Sequence, residues 1–200
     1  MSGVALRVRG LGKRFERRWV FRALDLDLEV SDSLVVAGRN GAGKSTLLKI
    51  LAGVIPATEG EVAVEGCQGE QRNLIGLCSP EQSLYEALTG TENLRFFARL
   101  RGLKAFDPHE CLRRIGLQGR GDERVSAYST GMKQRLRLAL ATMHEPPVLL
   151  LDEPGAGLDE EGRSIVDGIF EHARSRGIVI VATNDRSEYR YGERRLELGC

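Results

Sequence analysis

Residues 38–46 read GRNGAGKST, and this stretch decides the fold that the sequence predicts. It follows the short apolar run LVVAG and precedes the apolar-periodic run TLLKILAG, so we expect a strand, a glycine-rich turn and a helix in succession. Glycines let successive backbone N–H groups converge on one point, and the helix N-terminus adds partial positive charge there. The pattern G-x-x-x-x-G-K-[ST] in this context predicts a phosphate-binding loop.

The residue types in this loop suggest separate roles. Lys44 is expected to reach the β- and γ-phosphates of a nucleotide, and the Ser45 hydroxyl is expected to bind Mg²⁺. A helix start with an exposed lysine is the alternative, and it leaves the full pattern unexplained. The predicted nucleotide-binding residues of the loop are Gly38, Arg39, Asn40, Gly41, Ala42, Gly43, Lys44, Ser45 and Thr46.

A second apolar run, residues 148–151, ends on two adjacent carboxylates, Asp152 and Glu153. In P-loop NTPases an aspartate at the end of a buried strand holds Mg²⁺. We expect Asp152 to take that role through a coordinated water, and Glu153 to polarise the water that attacks the γ-phosphate. A solvated acidic turn does not explain why the pair follows a fully apolar run.

The composition is that of an ordinary globular domain of 200 residues, with 42% hydrophobic and 28% charged residues. A formal net charge of +1 implies no bulk attraction to nucleic acid. No apolar run is long enough for a signal peptide or a membrane span, so we expect a soluble, cytoplasmic protein. The cysteines lack metal or CxxC spacing and are predicted to be free thiols: Cys67, Cys78, Cys111 and Cys200.

Hydrophobic periodicity places most strands in the first and last thirds of the chain. Strands are predicted in VALRVRG, LDLDLEV, SLVVAG, EVAVEG, VLLLD and IVIVAT, with RRLEL as an edge strand. Helices are predicted after Thr89, which has capping-box spacing to Glu92, near Pro108, after Gly131 and over residues 159–176. Strands alternating with helices predict an α/β fold with a mainly parallel sheet covered on both faces.

The segment YSTGMKQRLRLALA, residues 128–141, is more selective than the phosphate loop. It resembles the signature motif of ATP-binding cassette (ABC) ATPases, usually written LSGGQ. Ser129, Gly131 and Gln134 are interpreted as keeping the pattern, and Tyr128 and Thr130 as variants. Because a serine and backbone N–H groups open a helix here, they form a second anion site. In the family this site closes on the ATP of a partner subunit.

The resemblance covers nearly the whole chain. GLDEEG resembles the family's D-loop, with Asp159 as its acid, and Phe15 stands where an aromatic ring stacks on adenine. LTGTENLRFFARLRGL resembles the helical subdomain of exporter subunits, including haem-exporter-like ones.

As an ABC cassette the chain is expected to be one nucleotide-binding domain over residues 1–200. Residues 1–83 and 145–200 would form a RecA-like core with an N-terminal antiparallel β subdomain. Approximately residues 84–144 would form an inserted helical subdomain that carries the signature motif.

The resemblance also implies cofactors and partners. ATP and Mg²⁺ would bind between two subunits packed head to tail, in a homodimer or in a heterodimer with another ABC ATPase subunit. A separate transmembrane permease would hold the pair at the cytoplasmic face of the membrane, and no nucleic acid would bind. The family would make the chain an ATPase that powers transport.

Two positions depart from the family. Pro80, in LCSP, stands where a glutamine contacts Mg²⁺ or its water and links the site to the membrane subunit. Gln82 could replace it only if the loop bulges, which we favour less than loss of the contact. Asn184, in VATND, stands where a histidine contacts the γ-phosphate, and an amide cannot shuttle a proton. The three histidines, His109, His144 and His172, are expected on helix surfaces. We therefore expect intact binding and slow hydrolysis.

Two other functions stay open. A non-transport ABC ATPase acting on ribosomes or DNA is disfavoured by the single cassette and by the 83 residues, without heptads, between Ser45 and Ser129. A nucleotide switch without useful turnover is kept open by Pro80 and Asn184, and the presence of Glu153 argues against it.

Overall fold

Two β-sheets and a set of helices form the structure, a computed structural model that describes residues 3–69 and 71–199. The first sheet is antiparallel, with strand order β2-β1-β4, and comprises β1 (Ala5–Phe15), β2 (Arg18–Glu29) and β4 (Glu59–Glu65). The second is parallel, with order β5-β6-β7-β3-β8, and comprises β3 (Ser33–Ala37), β5 (Ile75–Cys78), β6 (Val148–Asp152), β7 (Ile178–Thr183) and β8 (Arg194–Glu197).

The helices follow the sequence prediction closely. They are α1 (Lys44–Leu51), α2 (Gln71–Leu74), α3 (Gly90–Leu100), α4 (Pro108–Arg114), α5 (Thr130–Thr142) and α6 (Glu160–Arg174), with 3-10 turns at Val125–Ala127 and Arg186–Tyr191. The capping box predicted for Thr89 and Glu92 is formed at the start of α3. Across the described residues, no helix combines the length and the apolar character that a membrane crossing needs.

Every residue of the central strands of the parallel sheet is buried. Neighbouring residues point to opposite faces, so both faces of the sheet are covered. Leu34, Leu150 and Ile180 face the antiparallel sheet and α1, where they join the largest apolar cluster. The next residues along these strands face α5 and α6 in a second cluster. A third cluster joins α3, α4 and α5 within the predicted helical subdomain, whose boundaries at 84–144 stay a prediction.

The parallel register brings the carboxyl ends of four strands to one edge of the sheet. Ala37 of β3 pairs with Thr183 of β7, and Asp152 of β6 pairs with Ala182 of the same strand. β5 ends beside β6, with Cys78 opposite Leu151. Ligands of open α/β sheets bind outside such carboxyl ends, so this edge is where a site is expected.

Three sequence predictions need comment. β5 and α2 were not predicted, because each has only four residues and neither shows a clear period. RRLEL is confirmed as an edge strand, β8. His109 and His172 are exposed on helices, but the prediction for His144 is wrong: it lies in the turn after α5, and burial lowers its pKa to about 4.

The cysteine prediction holds where it can be examined. Cys67, Cys78 and Cys111 are free thiols, and Cys200 lies outside the described residues.

The packing of β5 against α5 generates a prediction about stability. A Cβ on Gly76 would lie 2.1 Å from the carbonyl oxygen of Ala141, a backbone atom that cannot move aside cheaply. Gly76→Ala should lower the free energy of unfolding by about 1–3 kcal/mol, measured by urea denaturation. The matched control is Gly168→Ala in α6, where a Cβ would meet nothing within 4 Å. Because alanine is favoured over glycine inside a helix, this variant should raise the free energy of unfolding by about 0.5–1 kcal/mol. Equal stability of the two variants would contradict this packing.

Candidate functional site

The glycine-rich loop joins β3 to α1 in a conformation that its residue types require. Gly41 and Gly43 have φ angles of 80° and 99°, a region that side chains strongly disfavour. A Cβ on Gly43 would also lie 2.2 Å from Cγ1 of Val20 in β2. The antiparallel sheet therefore packs directly on the loop, a contact that the sequence pattern did not reveal.

Lys44 is held at the mouth of this loop. Its side chain is only 6% exposed, and Nζ donates a hydrogen bond of 2.8 Å to the carbonyl oxygen of Gly38. The same Nζ lies 3.9 Å from Oε1 of Glu153. The structure thus brings together the lysine and the acid that the sequence predicted to act on one phosphate.

Asp152 is a buried carboxylate that is only partly satisfied. It is 3% exposed, and its Oδ2 accepts a hydrogen bond of 3.4 Å from the Ser79 hydroxyl. Burial raises the pKa of Asp152, while hydrogen bonds from Ser45 and Ser79 and the charges of Lys49 and Lys44 oppose the rise. Within the described residues Oδ1 is buried and has no hydrogen-bond partner.

This donor set fits Mg²⁺ bound together with a nucleotide. Mg²⁺ takes oxygen ligands, and it is commonly held by one or two carboxylates, waters and substrate phosphates. The unpartnered Oδ1 of Asp152 and the hydroxyl of Ser45, which bonds to the same carboxylate, are the residues that would hold it or its water. Ser79 is a neighbour of this site that sequence reasoning missed.

Glu153 is aimed at the loop by a strained backbone. Its φ angle is 48°, uncommon for a residue with a side chain, and its N–H donates to the carbonyl of Ala182 at 2.8 Å. Thr183 Oγ1 donates to Oε2 at 3.2 Å, and the Asn184 N–H donates to Oε1 at 3.1 Å. Burial raises the pKa of Glu153, which moves the carboxylate toward the basicity that a general base needs.

Asn184 and Pro80, the two positions that depart from the family pattern, follow strands that end at this same side of the sheet. The Asn184 amide donates a hydrogen bond of 2.6 Å from Nδ2 to Oδ1 of Asn40 in the loop. Pro80 is exposed, and Ser79, rather than Pro80, faces Asp152. Gln82 turns back so that its N–H bonds to the Ser79 carbonyl at 2.9 Å, and its own carbonyl accepts from Arg137. Loss of the glutamine contact, which we favour over its replacement by Gln82, stays a prediction.

The signature segment opens α5. The Ser129 hydroxyl caps the helix by accepting from the Met132 N–H at 3.2 Å, and Ser129 and Thr130 are exposed. A Cβ on Gly131 would lie 3.2 Å from the carbonyl oxygen of Gly157, so the segment packs against the loop that leads to Asp159. Asp159 is exposed and caps α6 through the Gly162 N–H at 2.8 Å.

Gln134 has a different environment from the one its predicted role needs. Counted from Tyr128, the motif LSGGQ ends at Met132, and Gln134 lies two residues further along the helix. Its side chain is 3% exposed, and Nε2 lies 3.4 Å from the Pro154 carbonyl and 3.8 Å from Cys78 Sγ. The contact with a partner's ATP stays a prediction for Ser129 and Gly131, and the burial of Gln134 argues against it for that residue.

Two further side chains complete the site. Phe15 is 52% exposed, with Lys13 Nζ 4.8 Å from its ring centroid, so one aromatic face is available for stacking. Glu188 was not predicted: it is 8% exposed, its Oε1 accepts from the Gly155 N–H at 2.8 Å, and its charge adds to the raised pKa of Glu153. Glu188 therefore ties the loop after β6 to the 3-10 turn after β7.

A comparison with known families decides what this arrangement belongs to. A family model described as ABC transporter matches residues 21–156, which include the loop, the acidic pair and the signature segment. The chain belongs to the ABC transporter family. The predicted P-loop NTPase fold, the ABC resemblance and the ATP-binding function are confirmed at the level of this family.

Individual relatives agree with this assignment. The lantibiotic transport ATP-binding protein SrtF of Streptococcus pyogenes is 32% identical over 90% of this chain and 79% of its own length. The cytochrome c biogenesis ATP-binding export protein CcmA of Xanthomonas campestris is 36% identical over 82% of this chain and 79% of its length. The linearmycin resistance ATP-binding protein LnrL of Bacillus subtilis is 28% identical, and the chain covers 62% of its length.

The solved structures agree in fold. A structure described as an ATP-binding subunit of an ABC transporter superposes with a TM-score of 0.87 at 26% identity, over 96% of this chain and 85% of that one. The finer resemblance to haem exporters stays a prediction.

The burial of Asp152 generates a prediction about stability and pH. Because the folded-state pKa lies above the unfolded value, the ionised carboxylate lowers stability at neutral pH, and this cost fades as the pH falls through the folded-state value. Asp152→Asn should therefore raise the free energy of unfolding in Mg²⁺-free, nucleotide-free buffer by on the order of 1 kcal/mol.

The measurement is urea denaturation between neutral and mildly acidic pH, beside the exposed control Asp122→Asn. The stability gain of the Asp152 variant should shrink toward the acid end. A variant less stable than the parent at neutral pH would show that the carboxylate is a net stabiliser.

Proposed function

We propose that the chain is the ATP-hydrolysing subunit of a transporter and powers a separate transmembrane permease through ATP-driven, head-to-tail dimerisation. The observation that carries the ATPase part is the placement of Lys44 and Glu153 within 3.9 Å of each other, beside the buried Asp152. A lysine, a metal-binding aspartate and a raised-pKa glutamate on one sheet edge are the groups that phosphoryl transfer to water requires.

Each residue would act on a stated part of the reaction. The N–H groups of the glycine-rich loop and Lys44 would bind the β- and γ-phosphates, and Ser45 and Asp152 would hold Mg²⁺. When bound, that ion neutralises charge on the phosphate oxygens. Glu153 accepts a proton from the attacking water, and the Asn184 amide donates a hydrogen bond to the γ-phosphate.

Dimerisation follows from where the second anion site lies. Ser129 and Thr130, at the start of α5, are exposed and belong to the helical part of the chain, and the neighbouring Gly131 lies beside the Gly157 loop. We infer that this helix start binds the γ-phosphate held by a second subunit, identical or related, so that ATP becomes part of the interface. Asp159, at the start of α6, would then lie at the same contact.

An aromatic cluster supports the permease as a partner. Tyr85 packs edge-to-face on Phe96, with centroids 4.8 Å apart, and Phe96 packs in the same way on Phe97 at 5.4 Å. Tyr85, Phe96 and Leu100 are 49%, 37% and 55% exposed, and exposed apolar patches commonly mark protein–protein contact sites. We propose that a cytoplasmic segment of the permease covers it, which would hold the chain at the cytoplasmic face of the membrane.

The relatives do not identify a substrate. Their names refer to lantibiotic transport, linearmycin resistance and cytochrome c biogenesis export, which are three different tasks. We therefore propose export as the class of function and assign no cargo.

ATP turnover of the purified chain tests this proposal. Mg²⁺-dependent turnover should rise more than linearly with protein concentration, because two subunits must meet. Glu153→Gln should lower turnover by about 10²–10⁴-fold and leave ATP binding intact. The matched control is Glu197→Gln on the edge strand β8, which should behave as the parent. Undiminished turnover in the Glu153 variant would overturn its role as the base.

Variants of Asn184 distinguish a slow ATPase from a nucleotide switch, which is the second function that we consider for the chain. If Asn184 positions the γ-phosphate, Asn184→Ala should lower turnover by about tenfold, and Asn184→His should raise it above the parent. Both are measured under saturating ATP, beside binding of a fluorescent ATP analogue. Tight binding without turnover in the parent, with and without a permease, would favour the switch.

A further inference from the structure

A cleft of about 540 Å³ lies between α4, α5 and α6, where the second and third apolar clusters meet. Its size falls within the range of about 300–1,000 Å³ that is typical of small-molecule sites. Nothing in the nucleotide chemistry described above uses it. Its apolar wall is formed by Ile115, Ala139, Met143, Leu149, Ile165 and Ile169.

The wall contributed by α6 contains a glycine where a side chain would fit. Ile165, Gly168, Ile169 and His172 line the cleft and fall at helical spacing on one face of α6. A Cβ added to Gly168 would meet nothing within 4 Å. Glycine inside a helix costs about 1 kcal/mol relative to alanine. Packing within this chain therefore does not require glycine at this position. Because glycine has no side chain, the cleft stays open here.

Charged groups stand at the rim. Arg176 is paired with Glu145, with Nη2 2.9 Å from Oε2. Arg114 has a looser arrangement: its Nε lies 3.9 Å from Oε1 of Glu110, and the Arg114 side chain is 56% exposed. An exposed pair at that distance contributes little, so the Arg114 charge is available to a ligand at low cost.

Arg114 and Cys111 both line the cleft. Burial raises the pKa of the Cys111 thiol to about 11, and the charge of Arg114 opposes that rise. Cys111 lies one helical turn before Arg114, so the two residues share a face of α4 beside the apolar wall. The site thus combines an apolar body with a cationic end.

We propose that this cleft binds an amphipathic monocarboxylate, with its alkyl chain among Ile115, which follows α4, and the isoleucines of α6, and with its carboxylate on Arg114. The apolar wall supplies affinity by burying the chain, and the guanidinium selects the acid head by a charge-assisted hydrogen bond. Ser164 and His172 of α6 also line the cleft.

Occupancy would brace two parts of the molecule. α4 belongs to the cluster of the helical part, whereas Leu149 and α6 belong to the cluster on the parallel sheet. A ligand that contacts both adds packing across this junction. The proposal does not depend on ATP turnover, because binding is measured directly on the nucleotide-free chain.

Calorimetric titration with decanoate, kept below its micelle concentration, tests the proposal. The parent and Gly168→Ala should bind it with one site, whereas Gly168→Leu, which fills the cleft, should lower affinity at least about tenfold. Arg114→Gln should lower affinity by about tenfold as well, because the charge-assisted contact is lost. Circular dichroism and urea denaturation would show that all variants remain folded.

Two ligand controls separate the parts of the site. Butyrate, with the same head and a short chain, should bind far more weakly than decanoate. Decanol, with the same chain and no charge, should bind the parent and Arg114→Gln with equal affinity. No saturable binding of decanoate by the parent would overturn the proposal. Binding that Gly168→Leu leaves unchanged would place the ligand elsewhere and overturn it too.

Discussion

The parallel pairing of β3, β7 and β6 is the constraint on which the rest of the site depends. It brings together the glycine-rich loop after β3, the acidic pair at the end of β6 and Asn184 after β7, although more than 100 residues separate the first from the second. A shift of one residue in this register would turn each strand's side chains to the opposite face, so the close packing of these side chains in the two clusters on either side of the sheet holds the geometry. Catalytic geometry here is a consequence of core packing.

The site is built at the expense of local stability. Asp152 is buried with one oxygen unpartnered among the described residues, and Glu153 has a left-handed backbone angle while its carboxylate accepts hydrogen bonds from Thr183 and Asn184. Both pKa values are raised because the carboxylates are removed from water. A bound Mg²⁺ would relieve the electrostatic cost at Asp152, so its binding would raise the stability of the folded chain.

The contacts around the acidic pair also link parts of the chain that the motifs treat separately. Glu188 bonds to Gly155, and Gly131 of the signature segment lies against Gly157, so the loop after β6 is held from both sides. On the far side of the same helices, the cleft around Gly168 lies between the helical part and the sheet. A change in the packing of α5 against α6 would therefore alter both the loop after β6 and the cleft.

The sequence by itself determined the chemistry and most of the elements. The loop pattern, the apolar run ending at Asp152 and Glu153, and the serine at the start of α5 are local signals, because each lies within one strand end or helix start. The caps of α3 and α5 were predictable for the same reason. The haem-exporter-like resemblance stays a prediction. The roles of Ser129, Gly131 and Asp159 also stay predictions, because a second subunit would have to test them.

Only the tertiary structure decided which side chains surround those motifs. Ser79 and Asp152 are 73 residues apart, and Glu188 and Gly155 are 33 apart, so no local pattern links them. The sequence did not predict β5, because four residues are too few to show a period. The position of Ser79, which follows β5, was missed for the same reason. Gln134 matched a motif by letter, yet its helical position directs it into the core. The cleft arises where three helices fail to close on one another, and that is a property of their packing.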